Sequence, residues 1–404
     1  MRDQTSGKMI RFYYTSLHFL YWMMFCSVYG FATLFLIYFK IDPAKIGGIL
    51  ALVNIVSTVL QPFVSQVIIK KRKIPLITVL KTMIAGLGVI LLAGVLIPNL
   101  PIITYILGGI LVVSMQSFLN ALAFEYSNTG YRINFGFSRA GGSFSYAVTS
   151  FLLGQLLAIY SAAILPILVI VEAVIFFVIL HLLPDVKNQE VFPMTKEQDR
   201  SVSLRKKYPF LILLFLGFSF LFTFHTMINS FLAQIFENIH GGSKEVGIAL
   251  MIAALCELPG MIFFEQLVKK KSSKFWLSVA SISFAVRGFM MLLASSILMM
   301  EMTHLLQAFS FALFIPASAY LFNQFLADDD RVFGQTMIII ATTLGGVIGN
   351  VLGGSLLQHF GVWEMLIFGT GFAVLGALLT ILGIRKIPKT GNDSDYWRNY
   401  KKRE

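Results

Sequence analysis

Long apolar runs, separated by short polar turns, recur along this chain. A helix needs about 20 apolar residues to cross a hydrocarbon core of about 30 Å, and cutting the chain on that criterion predicts twelve spans. The first six cover residues 12–39, 44–68, 74–97, 101–124, 136–158 and 162–183. The second six cover 208–236, 244–268, 275–297, 300–326, 332–357 and 363–385. The opening run, Phe12 to Phe39, is too long for a signal peptide and lacks a small-residue cleavage site, so it counts as a span. The pattern predicts an all-α membrane protein in four parts. These are an N-terminal six-helix bundle (1–183), a linker (184–207), a C-terminal six-helix bundle (208–385) and a polar tail (386–404).

The two bundles share a layout. Their first spans start near 12 and 208, the basic loops after their second spans lie near 70 and 269, and their last spans end near 183 and 385. An offset of about 200 residues throughout points to a parallel 6+6 duplication. Composition agrees, with 57% hydrophobic residues, 13% charged residues and a mean hydropathy of +0.78. The net charge of +12 does not imply a nucleic-acid partner, because the basic residues cluster in alternate loops. With the N-terminus inside, twenty-six Lys and Arg fall on the cytoplasmic side, and only Lys40, Lys45 and Lys244 fall outside. The positive-inside rule then predicts both termini in the cytoplasm and a multi-pass protein of the plasma membrane. Cys26 and Cys256 both lie in apolar runs without metal-ligand neighbours, so neither a disulfide nor a metal or other cofactor is expected.

Ionisable groups in such runs cost roughly 2.5–3.5 kcal/mol each at a bilayer centre, which makes them functional candidates. The stretch from Asn120 to Tyr146 carries Asn120 and Glu125 at the end of span 4, then Arg139, Gly142, Ser143 and Tyr146 on span 5. The last four are spaced i, i+3, i+4 and i+7, one helical face offering a cation, close backbone approach, a hydroxyl and an aromatic plate. A hydroxyl-rich ligand suits that set. The plainer alternative is an interfacial Glu125–Arg139 ion pair that fixes the hairpin.

At about 1.5 Å per residue, Glu257 in span 8, Arg287 in span 9 and His225 in span 7 lie near the midplane. A direct Glu257–Arg287 ion pair is the structural alternative to a functional cavity role. Glu172 in span 6 and Lys81 in span 3 are expected to be scaffold, as an ion pair or with Glu172 neutral. His18, His181, His240 and His359 form no constellation and are expected at interfaces or in loops. Gly345, Gly349 and Gly353 repeat every four residues on span 11, which fits either tight packing or a sliding helix. No His-Glu-x-x-His, paired midplane aspartates or Ser/His arrangement suggests an intramembrane enzyme.

Two six-span repeats joined by a cytoplasmic linker resemble the major facilitator superfamily over the full length of the chain. The loop signature of that superfamily is degraded here: Gln61-Pro62 and Lys70 to Lys73 are present, but Ser65 replaces a glycine and the aspartate is missing. Four landmarks resemble its oligosaccharide:proton symporter branch. They are Phe135-Gly136-x-x-Arg139-x-x-Gly142, Glu125, Glu257-Leu258 and Val286-Arg287. The resemblance implies alternating access around a mid-membrane substrate site shared by the two halves. It implies that Glu125 and Arg139 bind sugar, that Tyr146 stacks where the family has a tryptophan, and that Glu257 binds hydroxyls. It further implies that Arg287 belongs to a coupling network.

Span 10 departs from the family, with His304, Gln307 and Ser310 where Lys, His and Glu are expected. Coupling is therefore assigned to Glu257 and Arg287, with His225, His304 and Gln307 as further members. The expected function is uptake of a sugar or oligosaccharide by proton symport, carried out by a monomer in the lipid bilayer. An uncoupled sugar uniporter, a nucleoside importer and a drug-type exporter are the alternatives.

Overall fold

The computed structural model describes residues 4–131, 133–184 and 207–387, and among them every regular element is helical. Among the described residues, eleven helices are long and apolar enough to cross a membrane, from Pro43–Lys71 to Val362–Arg385. The twelfth span is a bent pair, Gly7–Gly30 and Ala32–Tyr38, with 42° between its parts. All twelve expected spans are therefore present, and the chain is a multi-pass membrane protein.

The chain divides into two compact units: Met1–Thr195 with Gly241–Ala254, and Lys196–His240 with Leu255–Glu404. In the first unit, span 1 packs on spans 5 (Phe135–Ile159) and 6 (Ala162–Leu182). Span 4 (Pro101–Asn128) packs on spans 2 (Pro43–Lys71) and 3 (Leu76–Leu96). The core of this unit runs from Tyr14, Leu17, Tyr21 and Met24 through Leu80, Leu87, Met115 and Leu119 to Val169 and Phe176. Buried tyrosines need a partner for their hydroxyls. Tyr14 and Tyr21 of span 1 donate to Leu119 O (3.0 Å) and Val112 O (3.1 Å) of span 4. Tyr105 of span 4 donates back to Ser27 O (3.0 Å). The opening half of span 8 (Ser243–Ile262) lies against span 5, where a β-carbon on Gly154 would come 2.8 Å from Gly247 Cα.

In the second unit, span 7 (Phe210–Ser230) packs on spans 11 (Arg331–His359) and 12 (Val362–Arg385), and span 9 (Ser273–Leu293) on spans 10 and 12. The glycines of span 11 make the first contact possible. A β-carbon on Gly345 would come 2.8 Å from Phe222 Cβ, and one on Gly353 would come 2.8 Å from Phe231 Cε2. Tight packing is thus the observed role of the Gly345–Gly349–Gly353 repeat.

Two spans of this unit are broken. Pro259 removes a donor from span 8, which restarts as Phe264–Lys270. Span 10 is made of Ile297–Met302, a 3-10 segment Thr303–Ala308, and Phe311–Phe325. Side chains three apart eclipse in 3-10 geometry, so His304 and Gln307 project the same way. That break places the second cluster of polar groups.

Candidate functional site

Each unit holds a set of polar and charged side chains among apolar walls. In the first unit, Arg139 lies half-buried on span 5 and donates from Nη1 to Ser143 Oγ at 2.8 Å. Its guanidinium carbon sits 4.1 Å above the centre of the Trp22 ring on span 1. The predicted face is a real one, and Trp22 organises it. Gly142 leaves room for the indole, since a β-carbon there would come 2.8 Å from Trp22 Nε1. Tyr146 meets the same indole edge-on, with ring centres 6.3 Å apart. Hydroxyls hold the two helices in register: Thr15 pairs with Ser138 (2.9 Å), and Ser145 donates to Phe19 O (2.7 Å).

Several expectations need correction here. Arg139 faces span 1, and Glu125 does not pair with it. The carboxylate is buried, and its Oε1 has no hydrogen-bond partner among the described residues. Asn120 is half-buried on span 4. His18 is not interfacial: it is 1% exposed, with Nε2 2.8 Å from Tyr14 Oη and its ring edge-on to Phe135. Glu172 is not paired with Lys81 and takes a hydrogen bond from Ser27 instead. The residue missed altogether is Trp22. A glycine facing outward from the middle of a polar helical face was the available signal, because it asks for a bulky neighbour.

In the second unit, the expected direct Glu257–Arg287 pair is replaced by a bridge. Gln307 Nε2 donates to Glu257 Oε1 at 2.9 Å, and Gln307 Oε1 accepts from Arg287 Nη1. One amide thereby serves a carboxylate and a guanidinium at once, as its donor and acceptor ends allow. Arg287 is fully buried, and its Nε and Nη2 have no hydrogen-bond partner among the described residues. Those two atoms form the side-on edge of the guanidinium, the edge that grips two oxygens together.

Both histidines lie within electrostatic reach of Arg287. His304 is fully buried in the 3-10 segment, with Nδ1 3.1 Å from Met300 O. A carbonyl can only accept, so that nitrogen carries a proton, and Nε2 has no hydrogen-bond partner among the described residues. His225 is half-buried, stacks on Phe311 (4.9 Å, 7°) and lies 3.0 Å from the Asn229 amide. Glu257 is half-buried at the outer end of the chain of bonds. All five residues expected to form a coupling network, Glu257, Arg287, Gln307, His225 and His304, gather in one unit.

The chain resembles several solved transporters. The nucleoside transporter NupG superposes with a TM-score of 0.77 at 13% identity, over 94% of this chain and 100% of that one. A bacterial homologue of the iron transporter ferroportin gives 0.72 at 14% identity, over 96% and 100%. A bacterial homologue of the human lysosomal transporter Spinster gives 0.71 at 13% identity, over 95% and 98%. At these identities the likeness speaks for the fold. The profile of the MFS_1 like family matches residues 12–368, most of the chain. By that match and by its fold, this chain belongs to the MFS_1 like family, within the major facilitator superfamily of membrane transporters.

Proposed function

We propose that this transporter takes up a sugar or glycoside by proton symport, through alternating access. The observation that carries the reading is the Glu257–Gln307–Arg287 bridge, with two guanidinium donors left over. Charged groups amid apolar spans are costly unless they have work to do. Donors and acceptors interleaved at this density suit a neutral solute that presents hydroxyls in both roles. The Arg139 face adds a guanidinium, the Ser143 hydroxyl and the rings of Trp22 and Tyr146. Aromatic faces stack on the apolar side of a sugar ring. Glu125 and Asn120 are assigned to solute binding beside them. Two arginines argue against a cationic drug as cargo. Glu257 is assigned as the proton carrier, with Arg287, Gln307, His225 and His304 as its network.

The charge pattern of the loops supports a cytoplasmic location of both termini in the plasma membrane. We assign the monomer as the working unit.

Purified protein in liposomes should exchange a radiolabelled sugar from a panel of mono- and disaccharides and glycosides. Imposing an inward proton gradient should convert exchange into accumulation, and Glu257→Gln should abolish accumulation while sparing exchange. Exchange without accumulation under a gradient would make the protein a uniporter. Competition by nucleosides and not by sugars would overturn the solute assignment.

A further inference from the structure

Span 1 changes helical type midway. Its α-helix Gln4–Phe25 passes into a π-helical turn, Cys26–Gly30, before it resumes as Ala32–Tyr38. Turns of this kind inside α-helices recur at functional places, because they displace side chains and loosen the backbone ladder. Ser27 lies in this turn and is fully buried. Its Oγ is 3.1 Å from Met23 O and 3.2 Å from Glu172 Oε1 on span 6, so one hydroxyl proton is shared between two acceptors. Glu172 is buried, and its Oε2 has no hydrogen-bond partner among the described residues.

Among the described residues, no cationic side chain pairs with Glu172. From span 1, Cys26 is within electrostatic reach. From span 4, Tyr105 touches the same turn through its bond to Ser27 O. Lys81, the sole ionisable residue of span 3, does not bond to it, and His181 of its own span binds Phe177 O. A carboxylate accepts several hydrogen bonds, and half of one is on offer here. The acid form can donate its own O–H to Ser27 Oγ, which leaves the serine proton to Met23 O. The ionised form needs new donors, and the nearest reserve is the backbone and hydroxyl of the π turn itself.

The same turn touches the solute-binding face assigned above. A β-carbon on Gly30 would come 2.8 Å from Tyr146 Oη and 3.6 Å from Cys26 Sγ. Glu172 on one flank and Tyr146 on the other thus share a five-residue hinge. We propose that Glu172 is a second proton-binding residue of this transporter, and that its ionisation reshapes the Cys26–Gly30 turn and so repositions Tyr146. The transport consequence rests on the proton-symport reading, whereas the proton site itself can be tested without any solute.

Trp22 lies one helical turn before Cys26 and against Tyr146, so it is a built-in reporter. Trp276, Trp363 and Trp397 are replaced by Phe, the protein is reconstituted in liposomes, and Trp22 emission is followed from roughly pH 5 to 9, which spans the ordinary titration of histidine and of shifted carboxyls. The expected result is a sigmoidal emission change that Glu172→Gln abolishes and Glu172→Asp moves to another midpoint. Glu125→Gln, His18→Asn and Glu257→Gln should each retain it. No change in the parent, persistence in Glu172→Gln, or loss in the His18 or Glu125 variant would overturn the assignment. If the titration holds but no sugar is carried, only the solute reading falls.

Discussion

Gln307 makes the buried Arg287 tolerable. Among the described residues it supplies the one hydrogen bond that the guanidinium makes, and it carries part of the Glu257 charge to it through the amide dipole. Removing one partner of a buried charge leaves that charge uncompensated, at a cost of about 3–5 kcal/mol. Gln307→Leu should therefore lower the melting temperature of the detergent-solubilised protein markedly. Gln307→Glu should recover most of that loss, because its carboxylate can meet Arg287 directly. Equal melting of wild type and Gln307→Leu would show that Arg287 is compensated elsewhere. At this scale the sequence was informative where one helix sufficed. The face of Arg139, Ser143 and Tyr146 follows from a period of 3.6 residues, and the structure keeps it. The identity of the partners from other helices was not legible: Gly142 asks for a bulky neighbour without naming Trp22, and nothing beside Glu172 points to Ser27. Which helix stands opposite is decided by packing, and no spacing along the chain encodes it.

Elements show the same division. Span positions were legible because the bilayer imposes a length and a composition on every crossing helix. The irregular turns were not. Residues 26–30 and 303–308 contain no proline to announce a break. Tertiary contacts select those turns: a tyrosine bond to Ser27 O in one, and the placing of His304 and Gln307 in the other. The span 11 glycines could be found by eye, and the structure shows what they do. A side chain at Gly349 would run into the span 7 backbone, with Met227 N 3.2 Å from a β-carbon there. Overpacking of this kind costs about 1–3 kcal/mol or more. Gly349→Leu should reduce both the yield of folded protein and its melting temperature, whereas Gly371→Leu should do neither, since a β-carbon at Gly371 would meet nothing within 4 Å.

For the whole molecule, the span count was apparent from the hydrophobic pattern, but the place of Gly241–Ala254 in the first compact unit was not. One tie at the edge of the second unit has a measurable signature. Lys207 binds Asp330 Oδ2 at 2.6 Å, Tyr208 donates to the same oxygen at 3.0 Å, and Ala327 N donates to the tyrosine at 3.1 Å. The bonds to Asp330 and then Tyr208 hold the Lys207 ammonium above the ordinary lysine range. A raised pKa in the folded state stabilises fully below the unfolded lysine value of about 10.4, and the benefit fades as pH climbs through the folded value. Asp330→Asn should thus melt earlier than wild type by a constant margin through neutral pH, and on the alkaline side the gap should close in strong alkali. A gap that closes near pH 6 instead would assign the effect to another group.

Residues Gly241–Ala254 belong to the first compact unit, although the second unit precedes and follows them in sequence. Severing the chain within the 185–206 stretch would therefore not liberate two self-sufficient pieces. The amino-terminal fragment would lack a strip of its own fabric, and the carboxy-terminal fragment would carry that strip with nothing to lay it on. Synthesised separately, each should be degraded. Synthesised together, they should rescue one another, as a garment does when both of its interlaced panels are cut at the same time.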